Sequence, residues 1–418
     1  MTKTVTPGNA KGQIDAIPSK SHLHRLLICA ALANAPTVIE RAKTEAEDIH
    51  ATVNCLNALG AKIEHTATGF HVTPIATPPQ SCVLPCHESG STLRFMLPVV
   101  CALGVEGTFR MAGRLPKRPM HPLDRELEKF GITFSRPEAD LLCCKGKLAA
   151  GDYSLPGDIS SQYISGLLMA LPLVEGVSRL TVAAPIESED YITLTRQVLA
   201  EFGCQHKPGH DYVFSGQQFK TPSKVETEGD WSNAAFWLCA GAMPGGDILL
   251  RGTKPDSTQG DKEICDILAK MGANISWRGG DISVKESKRN AVEIDARAIP
   301  DLVPVLAAVA SVSRGMTTIK NAGRLRIKES DRLMATAKTL NALGAKVHEE
   351  GEGLRIEGVP HLTGGIVDAH GDHRIAMMAA VAAMAATGEV TITGAEAVNK
   401  SYPMFWDDLK MLGLEVRG

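Results

Sequence analysis

The sequence predicts an α/β protein of two domains, α+β in local character, each assembled from three copies of one helix-and-strand unit with a buried helix in every copy. The first observation is a short phrase that recurs six times: Leu56-Asn-Ala-Leu-Gly60, Leu127-Glu-Lys-Phe-Gly131, Leu199-Ala-Glu-Phe-Gly203, Leu268-Ala-Lys-Met-Gly272, Leu340-Asn-Ala-Leu-Gly344 and Met411-Leu-Gly413. Its glycines are 71, 72, 69, 72 and 69 residues apart, the signature of an internal repeat. A second series of apolar segments keeps the same period. Finally, six such units in 418 residues, 44% of them hydrophobic, exceed what one core normally holds, so the chain divides.

Taken in order, "TKTVTPGNAKGQIDA" reads as a leading strand that completes the second domain. Six apolar helices follow at the repeat spacing: "SKSHLHRLLICAALANA", "SGSTLRFMLPVVCAL", "SSQYISGLLMALPLV", "DWSNAAFWLCAGAM", "PDLVPVLAAVASV" and "DHRIAMMAAVAAMAA". Ser21, Ser91, Ser161, Ser232, Asp301 and Asp372 mark their starts, and Ser and Asp are good N-caps. These segments are apolar nearly all round and should be buried. Pro98 should kink or shorten the second. Each glycine phrase closes a second, amphipathic helix, as with Leu333, Ala337, Leu340 and Leu343 at helical spacing; the glycine serves as the C-cap. Alternating stretches such as "AKIEHTATGFHV" and "AKVHEEGEGLRIEG" then supply antiparallel strands. The expected domains are 18–228, and 1–17 with 229–418, joined near "TPSKVETEGDW", with the chain crossing twice and a cleft between them.

A net charge of −3 provides no global field for nucleic acid or an anionic membrane, so neither is an expected partner. "MTKTVTPGNAKGQID" lacks the apolar core of a secretory signal, and the longest apolar run, Ile375 to Ala386, is shorter than a bilayer; a cytoplasmic location is expected. Ten scattered cysteines read as reduced thiols. Cys82, Cys86 and His87 have no second ligand pair, so no metal is expected, and Cys143-Cys144 reads as strand packing.

Repeated helices that point one way gather their N-termini on one face, where unpaired N–H groups and dipole ends attract phosphate and carboxylate. The residues at those starts fit. Lys20, Ser21 and Arg25; Ser89, Gly90, Ser91 and Arg94; Ser160, Ser161 and Gln162; and His373 with Arg374 open the apolar helices. Arg118, Ser188 with Tyr191, Lys328 with Glu329 and Arg332, and Lys400 open the amphipathic ones. Guanidinium forks bind carboxylate and phosphate bidentately, lysine adds a point charge, and serine hydroxyls donate to phosphate. "KESDR" alone also fits a surface helix start with a Glu329–Arg332 pair three residues apart; the phase of the charges with the repeat is what favours a site. The chain has no GxxxxGK[ST], GxGxxG after a first strand, HExxH or GxSxG. Two carboxylates among the cations, Asp301 and Glu329, are the acid/base candidates for a metal-free reaction of anionic substrates.

The phrases "KSHLHR", "ESGSTLR", "KRPM", "GDISSQYISGLLMALP", "EGDWSNAAFWL", "IPDLVPVLA", "RIKESDRL", "GDHRIAMM" and "NKSYPMF", in this order across almost the whole chain, resemble the 3-phosphoshikimate 1-carboxyvinyltransferase (EPSP synthase) family. The resemblance implies the enolpyruvyl transferase fold, two domains of three βαβαββ units with the active site in the interdomain cleft. It implies transfer of the enolpyruvyl group of phosphoenolpyruvate to the 5-hydroxyl of shikimate 3-phosphate, with release of phosphate, on the route to aromatic amino acids. No cofactor is implied, a monomer is expected, and glyphosate is the family inhibitor. Carried over, Lys20, Ser21, Arg25, Ser160, Ser161, Gln162, Ser188, Tyr191, Asp301 and Lys328 would bind shikimate 3-phosphate. Lys20, Gly90, Arg118, Gln162, Arg332, Arg374 and Lys400 would bind phosphoenolpyruvate, and Lys20, Asp301 and Glu329 would be catalytic. The first domain would carry most of the shikimate 3-phosphate site, and the second Asp301, Lys328, Glu329, His373, Arg374 and Lys400. The chain departs from the common family pattern in "IPSKS", and at Glu88, Phe95, Asp190 and Arg324. The sibling UDP-N-acetylglucosamine enolpyruvyl transferase usually has Lys-Asn where this chain has Lys20-Ser21, and often a cysteine in the loop that here reads "GRLPKRPMHPL". A non-catalytic anion binder would gain by losing Asp301 and Glu329.

Overall fold

A computed structural model describes residues 1–205 and 211–418. They form two compact units, residues 18–228 and residues 1–17 with 229–418, each around its own hydrophobic core. The first unit contains α1 (Lys20–Ala31), α2 (Glu47–Ala58), α3 (Gly90–Leu103), α4 (Leu123–Lys129), α5 (Ser161–Ala170) and α6 (Glu189–Glu201). The second contains α7 (Trp231–Ala242), α8 (Ile264–Lys270), α9 (Val303–Ala310), α10 (Arg332–Ala342), α11 (His373–Ala382) and α12 (Phe405–Met411). Odd-numbered helices are the apolar series: every residue of α7, α9 and α11 is buried. Even-numbered helices bury one face, as α10 does through Leu333, Ala337 and Leu340.

Each repeat contributes one sheet, and five of the six share one four-stranded pattern; among the described residues the third has three strands, Asp152–Pro156 parallel to Ser178–Ala183, which pairs antiparallel with Asp211–Phe214. In the fifth, Glu293–Asp295 runs parallel to Met316–Lys320, which pairs antiparallel with Gly353–Glu357, itself antiparallel to Lys346–Glu350. The parallel step needs a crossover, and α9 supplies it; the antiparallel steps need only tight turns. Chain ends close both units. Lys224–Glu226 lies parallel to Thr37–Glu40 in the first sheet. The leading segment provides two strands where the sequence reading expects one: Thr2–Val5 pairs with Val390–Thr393 and Val416–Arg417, and Lys11–Asp15 lies parallel to Asp247–Arg251.

The six repeat glycines all adopt left-handed backbone, with φ of 102°, 95°, 75°, 90°, 87° and 100° from Gly60 to Gly413. That region is open to glycine without steric penalty, so each ends its helix and turns the chain into the next strand. Two expectations need correction. The N-caps lie upstream of the residues chosen from the sequence: Ser19, Ser89, Ser160 and Asp230 have extended backbone and accept from the N–H groups of His22, Thr92, Gln162 and Asn233. Ser91 and Ser161 therefore lie inside first turns. Asp301 sits in a 3-10 turn, Pro300–Leu302, before α9 and makes no capping bond; of those chosen, only Asp372 caps its helix. Nor does Pro98 shorten α3, which runs 14 residues through it. The carbonyl of Arg94, deprived of its helical donor by the proline, faces Gly166 of α5, where a Cβ would stand 2.4 Å away. α5 thus covers the defect by close approach.

Candidate functional site

In residues 18–228 the helix starts are linked side chain to side chain. Lys20, the first residue of α1, reaches Asp48 in the first turn of α2 at 2.6 Å. The carbonyl of Asp48 accepts from Thr92 of α3 at 3.3 Å. Arg25, 2% exposed, ties three helices: Nε donates to Thr195 of α6 (2.6 Å), Nη2 to Ser165 of α5 (3.2 Å) and to the carbonyl of Tyr191 (3.0 Å), and Nη1 to the carbonyl of Ser21 (2.6 Å). Its guanidinium carbon lies 4.8 Å from the Phe95 ring centroid, so this departure from the family pattern gives Arg25 an aromatic partner. Burial lowers its pKa to about 10.

A second knot forms where α3 and α5 begin. Gln162 accepts from Arg94 Nη1 at 2.7 Å and donates to Ser91 Oγ at 2.9 Å. Gly90 opens α3, and a Cβ there would come within 2.8 Å of Arg118 Nη1 and 3.2 Å of Arg94 Nη1. The missing side chain lets two guanidinium groups approach a helix N-terminus, a ready anion site. Glu88 braces the loop leading to Arg118 by accepting from the Arg114 N–H at 3.1 Å. Ser160 and Ser161 open α5. Ser188, before α6, is buried and held at φ 54°, a left-handed conformation costing a non-glycine residue about 1 kcal/mol.

In residues 229–418 the cations meet carboxylates instead. Arg332, 1% exposed, donates through Nη1 to Asp301 (2.7 Å), through Nη2 to Glu329 (2.7 Å), and through Nε and Nη2 to Asp372 (2.7 and 3.3 Å). Arg374 Nη2 holds the other Asp301 oxygen at 3.1 Å, while its Nη1 reaches the Asp301 carbonyl at 3.3 Å. Lys328 Nζ is 3.9 Å from Asp301. Burial would raise the Asp301 pKa, but Arg374, Lys328 and Arg332 outweigh it and hold the carboxyl far below its ordinary range. Burial lowers Lys328 to about 8 against the pull of Asp301. Asp261, buried and hydrogen-bonded to Ser232, is pushed up to about 7 by burial and then by the Asp301 charge. Lys400 closes a 3-10 turn and is 5% exposed; His373 is buried beside Asp372, with Nδ1 3.7 Å from its carboxylate.

Lys20, Ser21, Gly90, Ser160, Ser161, Gln162, Ser188 and Tyr191 thus fall at helix starts of one unit, and Asp301, Lys328, Glu329, Arg332, Arg374 and Lys400 at turns and starts of the other; Arg118, expected to open an amphipathic helix, instead follows the 3-10 turn Leu115–Lys117, five residues before α4. Sequence reasoning missed Asp48, Asp261 and the clamping role of Asp372. Asp48 was findable, because it opens the amphipathic helix of its repeat, as Arg332 does in the fifth. All ten cysteines are free thiols. Among the described residues, no three His, Cys, Asp or Glu are grouped to hold a metal, and no helix is long and apolar enough to cross a membrane.

Comparison with solved structures defines the class. An EPSP synthase from Acinetobacter baumannii superposes with a TM-score of 0.81 over all of both chains at 25% identity. The enolpyruvyl transferase NikO from Streptomyces tendae gives 0.79 over 100% of this chain and 98% of that one at 19% identity, a likeness of fold alone. The fold is that of the enolpyruvyl transferases. Within it, residues 5–409 match the EPSP synthase (3-phosphoshikimate 1-carboxyvinyltransferase) family model. Proteins named 3-phosphoshikimate 1-carboxyvinyltransferase from Clostridium acetobutylicum and Clostridium perfringens are 42% and 40% identical, covering 99% of this chain and 97% and 99% of theirs. The chain belongs to the EPSP synthase family.

Proposed function

We propose that the chain transfers the enolpyruvyl group of phosphoenolpyruvate to the 5-hydroxyl of shikimate 3-phosphate, releasing phosphate, as a 3-phosphoshikimate 1-carboxyvinyltransferase of the shikimate pathway. The observation that carries the mechanism is the carboxylate of Asp301 held at once by Arg332 and Arg374 beside Lys328. A substrate carboxylate or phosphate competes for those guanidinium groups, and Asp301, once relieved of them, becomes a stronger proton acceptor. It takes the proton of the 5-hydroxyl as that oxygen attacks C2 of phosphoenolpyruvate. Glu329 or Lys20 protonates C3, giving a tetrahedral intermediate. Loss of a proton from C3 and cleavage of the C2–O bond to phosphate complete the exchange. Arg118, Arg332, Arg374 and Lys400 stabilise the anionic groups throughout, aided by Gly90 and Gln162.

Residues 18–228 contribute Lys20, Ser21, Arg25, Ser160, Ser161, Gln162, Ser188 and Tyr191 to the shikimate 3-phosphate contacts, while Asp301 and Lys328 hold the ring hydroxyls. A monomeric, cytoplasmic enzyme completes this reading; light scattering at working concentration tests the first point.

The deciding experiment measures phosphate release from phosphoenolpyruvate with and without shikimate 3-phosphate. Release that requires both supports the transferase. Release only with UDP-N-acetylglucosamine would reassign the acceptor, and no release with either acceptor would leave an anion binder.

A further inference from the structure

Three carboxylates surround Arg332, and they are not equivalent. Asp301 and Glu329 are 24% and 12% exposed in their side chains, whereas Asp372 is fully buried. Asp372 Oδ2 accepts from Arg332 Nε at 2.7 Å and Ser330 Oγ at 3.0 Å; Oδ1 accepts from the Arg374 N–H at 3.0 Å and Arg332 Nη2 at 3.3 Å. These four bonds fill the lone-pair sites of a carboxylate. The carboxylate cannot leave without uncapping α11 and stranding a buried guanidinium edge. Asp301 and Glu329, by contrast, hold the Nη1/Nη2 edge from more exposed positions.

We propose that Asp372 is a positioning residue for the donor-substrate anion: it clamps the Nε edge of Arg332 and the start of the helix carrying Arg374, so that the Nη edge stays turned toward Asp301 and Glu329, which the phosphoenolpyruvate anion displaces. Without the clamp, Arg332 follows the two less buried carboxylates and its orientation is set by them alone. The inference rests on the assignment of Arg332 and Arg374 to phosphoenolpyruvate made above.

The test compares Asp372→Asn and Asp372→Ser, both of which keep a side chain able to cap α11. The Michaelis constant for phosphoenolpyruvate should rise about 10- to 100-fold, the range seen when the partner that orients a metal-binding side chain is lost, while that for shikimate 3-phosphate stays within about twofold; the buried Arg332 edge loses a charged partner, so the melting temperature should fall by several degrees with the circular dichroism spectrum of the fold kept. If Asp372→Ser fails to fold, Asp372→Asn decides alone. An unchanged phosphoenolpyruvate constant in a folded variant overturns the proposal, and so does a parallel rise in both constants with a large fall in melting temperature. An independent readout requires no turnover. The Arg332 Nε–H proton, assigned by its loss in Arg332→Lys, should exchange slowly in the nitrogen-15 spectrum of the wild type and rapidly in Asp372→Ser. Rapid exchange in the wild type would remove the clamp itself, whereas an inactive wild type with a slowly exchanging proton would fault only the functional reading.

Discussion

The two units handle positive charge in opposite ways. In residues 18–228 the buried Arg25 is held by hydroxyls and backbone carbonyls, and Arg94 donates to the amide of Gln162. In residues 229–418 Arg332 is held by three carboxylates and Arg374 by Asp301. Neutral acceptors orient a guanidinium without cancelling its charge, and burial lowers the Arg25 pKa to about 10. Carboxylates cancel charge but can also carry protons; Asp372, Glu329 and Asp301 hold Arg332 above its ordinary value despite its burial. The first arrangement suits capture of a phosphate, the second suits proton transfer. Lys20 with Asp48 is an instance of the second device inside the first unit.

If that division holds, the largest effect comes from the acid/base side. Asp301→Ala should lower kcat by about a thousandfold or more, within or near the range for a general base, with an unchanged circular dichroism spectrum. A folded variant with near-normal kcat would erase the contrast. Next, Arg25→Lys keeps the charge but not the fork that ties α1, α5 and α6; the shikimate 3-phosphate Michaelis constant should rise about tenfold and the melting temperature should drop by several degrees. A normal constant would show that charge alone suffices there.

A pH profile sharpens the comparison. Lys328, lowered to about 8 by burial, is charged below that pH and neutral above it, so kcat/KM should decline as pH rises past about 8. Arg in its place stays charged, and Lys328→Arg should straighten that limb; a limb unchanged in the variant would assign it to another group.

The smallest effect concerns Asp261, raised to about 7 in the folded state from an ordinary 3.8. Between those values the unfolded chain has released a proton that the folded one retains, so this residue lowers stability as pH rises from about 4 to about 7, then adds no further change. Asp261→Asn removes the dependence. Its melting temperature relative to the wild type should be higher at pH 8 than at pH 4.5, by on the order of 2 °C. An equal difference at both pH values would mean that Asp261 is ionised throughout.

Much of this was readable residue by residue. Gly344 marked a helix end because only local backbone freedom is at stake, and Leu333, Ala337 and Leu340 marked a buried face because the helical period is local too. The caps slipped where serines repeat at short spacing, as in Ser19 and Ser21 or Ser89 and Ser91, since both can cap and backbone geometry chooses between them. The Glu329–Arg332 pair, three residues apart, was likewise legible.

What the sequence determined by itself was the sixfold repeat, its helix and strand phases, the family, and the charged residues at the helix starts, all of them encoded in neighbouring residues or in a regular period. Only the tertiary structure decided that Arg332 meets Asp301 31 positions away and Asp372 40 positions away, or that Arg25 reaches Thr195 across 170. Nothing in the local chain distinguishes a cation backed by hydroxyls from one backed by carboxylates. Packing the helices brings those partners within hydrogen-bond reach, and burial then makes the choice between them matter.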